Sequence, residues 1–187
     1  MPSDLTRLGA YGAAICAAAY GSMKLAQALG ANALADKDPL RPDMRERLLA
    51  RDPMFVASHW ILATAAVIGV LLALATVRPW GRNVPRRLLL LTTWTLGLFM
   101  IVRAVGVIGF GFVGDTLVLT NTTPPDPEYV DLARYLARWD LTLWSPFFLT
   151  WGTCWTLAAR HLTNTNRAPR LPLTVEQRAG EASAETQ

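Results

Sequence analysis

The sequence predicts an all-α integral membrane protein, a bundle of four transmembrane helices. Three observations carry that expectation. Of the 187 residues, 52% are hydrophobic and only 17% are charged, against roughly 25% charged in an average soluble domain. The apolar residues gather into four blocks, each near the roughly 20 residues a helix needs to cross the hydrocarbon core. The blocks are continuous, whereas a soluble amphipathic helix breaks its apolar stripe every three or four positions. The expected organisation is one transmembrane domain over residues 1–160, with spans over 8–30, 55–77, 88–112 and 141–159, and a polar tail over 161–187.

Span one is rich in Ala and Gly. Gly9, Ala13, Ala17 and Gly21 recur every four residues, a small-residue stripe that lets another helix approach closely. The same stretch also admits a cleaved signal sequence, because Ala33-Leu34-Ala35 resembles a small-residue cleavage site. Against cleavage stand the length of the apolar run, Lys24 at its far end, and the long interval from Lys24 to Ala35. Residues 31–54 form a polar connector of alternating charge. Within it, 42–50 suit a short interfacial helix with Met44 and Leu48 on one face.

Span two leads into a short loop over 78–87 that carries Arg78, Arg82, Arg86 and Arg87 and no acid. Span three ends in a Gly-rich stretch, Gly106, Gly109, Gly111 and Gly114. No strand precedes it, so close helix packing is expected there rather than a nucleotide loop. The second long connector, 113–139, is broken by Pro124, Pro125 and Pro127. It becomes helical over 128–138 and runs towards span four as a second short interfacial helix. Asn121-Thr122-Thr123 matches the glycosylation sequon, a pattern common by chance. The tail is polar, contains Pro169 and Pro172, and is expected to be disordered.

The Arg-rich loop shares a side with the tail residues Arg160, Arg167, Arg170 and Arg178. The positive-inside rule puts that side in the cytoplasm, with both termini, in a plasma (inner) membrane. Lys37, Arg41, Arg45, Arg47 and Arg51 of the first connector then lie outside, which works against the assignment. The net charge of +4 is read as topology and contact with lipid headgroups. Nucleic acid is not an expected partner, because no contiguous basic surface interleaved with aromatics is present. Cys16 and Cys154 fall in different spans without CxxC spacing and read as small buried hydrophobes. Trp60, Trp80, Trp139 and Trp144 lie near span ends as an aromatic belt would, with Trp94, Trp151 and Trp155 further within.

Ionisable residues inside spans are costly, and by default they suggest function. Lys24 stands near the end of span one, His59 at the start of span two, Arg103 in the second half of span three and Asp140 at the start of span four. Because the spans alternate in direction, all four fall in one half of the membrane, the outer half on the topology above. Tyr20, Lys24 and Gln27 share one helix face, as do Asp140 and Trp144. Arg103 is the deepest, about ten residues from the span end, or roughly 15 Å at 1.5 Å per residue. Two readings stay open. One is a ligand site formed by Tyr20, Lys24, Gln27, His59, Arg103, Asp140 and Trp144, in which the surplus of cations favours an anionic small molecule or a lipid headgroup. The other is structural: Arg103 paired with Asp140 or Asp115, and Lys24 snorkelling to the headgroups.

No cofactor is expected. His59 and His161 lie at opposite membrane faces and cannot clamp one haem, and a zinc site lacks enough His and Cys. No catalytic triad or carboxylate pair is readable. The sequence therefore points to an accessory or interaction subunit, with another membrane protein or a second copy as partner, or to a ligand-binding protein. The alternative is a membrane enzyme or carrier that uses His59, Lys24, Arg103 and Asp140. A channel is disfavoured, since four short helices of one chain rarely enclose a pore.

The run Tyr20-Gly21-Ser22-Met23-Lys24-Leu25-Ala26-Gln27-Ala28-Leu29-Gly30 resembles the first-helix signature of a family of small, uncharacterised four-helix bacterial membrane proteins. In that signature a Lys or His precedes a Trp-Ala-Leu-Gly-Gly run. The stretch Arg138-Trp139-Asp140 through Leu143-Trp144-Ser145-Pro146-Phe147-Phe148 resembles the family's last helix. The likeness covers residues 8–160 and departs at Gln27, where the family has Trp, and at Ala31, where it has Gly. It implies the four-span fold and no activity, since the family is described only as a domain of unknown function.

Overall fold

The computed structural model describes residues 2–31, 37, 38, 40, 42–106 and 110–164, and among them it is helical without strands. The helices are α1 (Pro2–Ala28), α2 (Pro42–Leu49), α3 (Pro53–Ala75), α4 (Arg86–Val105), α5 (Phe112–Leu119), α6 (Val130–Trp139) and α7 (Ser145–Asn164). The cleavage-like Ala33-Leu34-Ala35 and the tail beyond Asn164 lie outside the described residues.

Local chemistry sets the boundaries that matter for the site. Pro53 opens α3, and the Asp52 carboxylate accepts from the Met54 and Phe55 N–H groups at 3.0 and 3.2 Å, which satisfies two donors that the first turn leaves free. α4 stops at Gly106, whose left-handed φ of 52° is one that side-chain-bearing residues rarely adopt. A Cβ at Gly106 would stand 2.0 Å from the Phe110 carbonyl oxygen, so the chain can fold back only over a glycine.

The helix expected as the third span therefore stops at Val105, short of residue 112. The residues beyond it are as apolar as the helix, so hydropathy alone runs past the turn. Gly106 and Gly111 make that turn and do not pack helices, while Gly109 lies outside the described residues. α5, inside the second connector, is a short helix that ends before Pro124 and that the proline-rich pattern there does not suggest.

α6 passes into α7 through one π-helical turn, Asp140–Trp144, in which the Ser145 N–H donates to the Asp140 carbonyl. Pro146 explains the turn. It has no N–H to donate, and its ring presses on the carbonyl four residues back, a conflict that a widened turn relieves. α6, at the end of the second connector, is thus continuous with α7 as one helical rod, and α7 extends to Asn164 rather than 159.

α1 packs between α3 and α7, and α7 packs between α1 and α4, whereas α3 and α4 barely meet. Small residues set these close approaches. A Cβ at Gly9 would lie 2.6 Å from the Leu157 Cβ, and one at Gly21 would lie 2.7 Å from the Ala66 Cβ. The stripe expected on α1 is therefore shared, its start facing α7 and its end facing α3. Across α7 and α4, a Cβ at Gly152 would meet the Gly97 carbonyl at 2.9 Å. The core between them holds Ala13, Ala17, Ala73, Met100, Trp151 and Trp155, with Cys16 and Cys154 packed against it as unpaired thiols. Outside, α3 exposes Ile61, Val67, Ile68 and Leu71, and α4 exposes Leu91, Leu98, Phe99 and Val102. α3 and α4 are long and apolar enough to cross a membrane.

Candidate functional site

The π turn carries Asp140 into the interior, where it is fully buried. Its carboxylate accepts from Arg103 at 2.7 Å (Nη2) and 3.4 Å (Nη1) and from the Ser145 hydroxyl at 2.7 Å. The Arg103 guanidinium also lies 5.1 Å from the centroid of the Phe148 ring, within the range of a cation–π contact. Because α4 ends early, Arg103 occupies its last turn and not a depth of ten residues. It is partly accessible, with 23% of its side chain exposed.

Asp115 of α5 completes this group. Its carboxylate accepts from the Gly111 N–H at 2.8 Å and lies near enough to that of Asp140 for the two to interact. Two carboxyls in such contact must hold a proton between them. Burial first, then Asp140, push the Asp115 carboxyl up to about 7.

Lys24 organises a second group. Its ammonium donates to Asp38 at 2.9 Å and to Gln27 Oε1 at 3.0 Å, and the Gln27 amide donates to the same Asp38 oxygen at 3.2 Å. All three side chains are buried. The Trp144 indole N–H donates to the Lys37 carbonyl at 2.8 Å, which pins this piece of connector to the π turn. Tyr20 stands between the two groups: Lys24 Nζ is 5.6 Å from its ring centroid, and the ring packs on Phe148 and Trp151.

Of the seven residues expected at a site, the structure gathers six into these adjoining groups. His59 is apart: it is buried, its Nδ1 shares a 2.8 Å hydrogen bond with the Phe55 carbonyl of its own helix, and its ring packs on Phe55. The expected surplus of cations also needs correction, because Lys24 and Arg103 each have a carboxylate partner. Asp38 was missed because it lies in a connector without periodicity. Ser145 was missed because a hydroxyl in an apolar run gives no signal by itself. Pro146, interrupting a helical pattern just after Asp140, was the available clue to the wide turn.

The gap between α3 and α4 is a laterally open groove of about 350 Å3. Its walls include Leu62, Ala66, Leu96 and Phe99, its floor Phe148 and Trp151, and Arg103 with Tyr20 close its polar end. The indole N–H groups of Trp151 and Trp155, both lining residues, meet no acceptor among the described residues. No trio of His, Cys, Asp or Glu is gathered to hold a metal among the described residues.

Residues 28–155 match a family described as "Protein of unknown function (DUF3995)", and the chain belongs to that family. The matched region starts at the end of α1 and takes in the whole of Arg138–Phe148, including Asp140 and the π turn. Comparison with curated proteins and with solved structures gives no match.

Proposed function

We propose that this chain is a small multi-pass protein of the plasma membrane whose α3–α4 groove holds one amphipathic lipid, its chain in the groove and its oxygen-bearing head at Arg103. Both ends of the helical domain would face the cytoplasm, and no chemistry is assigned to the site. The membrane part of the proposal rests on exposure. The most apolar stretches of α3 and α4 are only 22% and 28% buried, whereas a core helix of a soluble protein hides such residues. α1 and α7 are less apolar because they lie inside, and Lys24, Gln27 and Ser145 are buried among their neighbours.

The groove carries the lipid reading. It opens sideways between two helices with exposed apolar faces, so a bilayer component could enter without crossing water. It is apolar along its length and ends at a partly exposed guanidinium. Asp140 takes two of the five guanidinium donors, leaving the others for acceptor oxygens. A small free anion is disfavoured, since Asp140 already balances Arg103 and an apolar groove gives such an anion nothing to bind.

Ala65 is exposed on the groove wall, so an Ala65→Trp substitution would fill the groove without entering the core. Native mass spectrometry of the purified protein should show a lipid adduct on the wild type and lose it from the variant at unchanged helicity. Equal adducts on both proteins, or none on the wild type, would sink the proposal.

A further inference from the structure

We infer that the opposite end of the molecule is a second, independent site, one that binds a phosphate-bearing anion. A basin of about 790 Å3 opens there between the start of α1, the 3-10 turn Pro79–Asn83, the start of α4 and the end of α7. Arg7, Arg78, Arg82, Arg86 and His161 all line it, and no Asp or Glu lines it among the described residues. Positive-inside topology accounts for arginine on this side of the protein. It does not account for arginines from three separate elements converging around one concavity.

The basin is held open by its own contacts. The Arg86 guanidinium donates to the Leu162 carbonyl and ties the start of α4 to the end of α7. Arg78 lies 6.0 Å over the Tyr11 ring, which orients it across α1. A Cβ at Gly81 would stand 1.8 Å from the Ala75 carbonyl oxygen, so the turn that carries Arg82 is pressed against the end of α3. Pro85 leaves the start of α4 without a side-chain cap, and no acid stands in its first turn. The positive end of a 20-residue helix therefore adds to the arginine field.

Planar guanidinium forks match phosphate oxygens in pairs, and the volume admits a diphosphate as readily as a single phosphate. The same chemistry fits a phospholipid headgroup in the facing leaflet and a soluble phosphorylated compound.

The test uses the full chain in neutral detergent. One arm titrates inorganic pyrophosphate, read by thermophoresis. The other measures dioleoyl phosphatidate adducts by native mass spectrometry after reconstitution in phosphatidylcholine vesicles doped with that lipid. The wild type should bind at least one probe. Arg78→Gln with Arg82→Gln should weaken that binding roughly tenfold or more, the scale of one charge-assisted hydrogen bond. Arg82→Gln alone, at an exposed position, keeps the test valid if the double variant fails to fold. Arg87→Gln, at an exposed arginine in the first turn of α4 that does not line the basin, should change binding by less than about twofold.

Pyrophosphate binding alone would assign a soluble ligand, and phosphatidate binding alone a lipid headgroup; either supports the site. It is overturned if neither probe binds the wild type, if the arginine variants bind as well as the wild type, or if Arg87→Gln costs as much as Arg82→Gln.

Discussion

The two ends of this molecule treat positive charge in opposite ways. At one end Lys24 and Arg103 are each matched to a carboxylate, Asp38 and Asp140. At the other, four arginines line a basin with no acid among its described lining residues. Burial explains the contrast. A charge removed from water must be neutralised and hydrogen-bonded by its own protein, whereas charges on a wet rim can stay in surplus and remain available to a ligand. The paired end is therefore built for structure, and it presents a polar head only where Arg103 meets the apolar groove. At the basic end an exposed arginine such as Arg82 contributes little to stability.

The strongest way to break this contrast is Arg103→Leu. It leaves Asp140 buried without its cation and should cost about 3–5 kcal/mol, read as unfolding in mixed micelles. Adding Asp140→Leu should recover most of that loss, since an apolar pair of similar volume is often neutral. An Arg103→Leu protein as stable as the wild type would mean that the pair supports nothing.

A smaller effect should appear with pH. The Asp115 carboxyl, pushed up to about 7 in the fold from an ordinary value of 3.8, holds a proton that the unfolded chain has already released. Its contribution is full below about pH 4, declines as pH rises towards 7 and then levels off, with a slope of at most about 1.4 kcal/mol per pH unit. Asp115→Asn cannot titrate and should flatten that decline. A variant with the wild-type profile would place the titration elsewhere.

The smallest expected effect is that of Arg82→Gln, which should change stability by less than about 0.5 kcal/mol. A larger loss would show that the basic end, too, is held together by its charges.

Much of this was legible in the sequence. Apolar blocks gave the long helices, and antiparallel order correctly brought Lys24, Arg103 and Asp140 to one end. Hydropathy could not reveal the stop at Gly106, because the chain stays apolar through a turn that depends on a left-handed glycine. Nor could it show that His59 turns to its own helix, or that Asp38 reaches back from the connector to Lys24. The groove was out of reach for a different reason: it exists because α3 and α4 each pack on an inner helix and not on each other, a property of the arrangement and of no single residue. The Arg-rich loop was visible, but its convergence with Arg7 and His161 needed the ends of α1 and α7 to be brought beside it.

The membrane-spanning account, with the polar end and the basic end on opposite faces of a bilayer, is tested most directly by thiol labelling. Cys16 and Cys154 are replaced by Ala, and single cysteines are introduced by Asn83→Cys at the basic end and Asn121→Cys near the polar end, both at exposed positions. In intact cells a membrane-impermeant reagent should label the Asn121→Cys protein and reach the Asn83→Cys protein only after permeabilisation. Labelling of both from the same side would contradict the account.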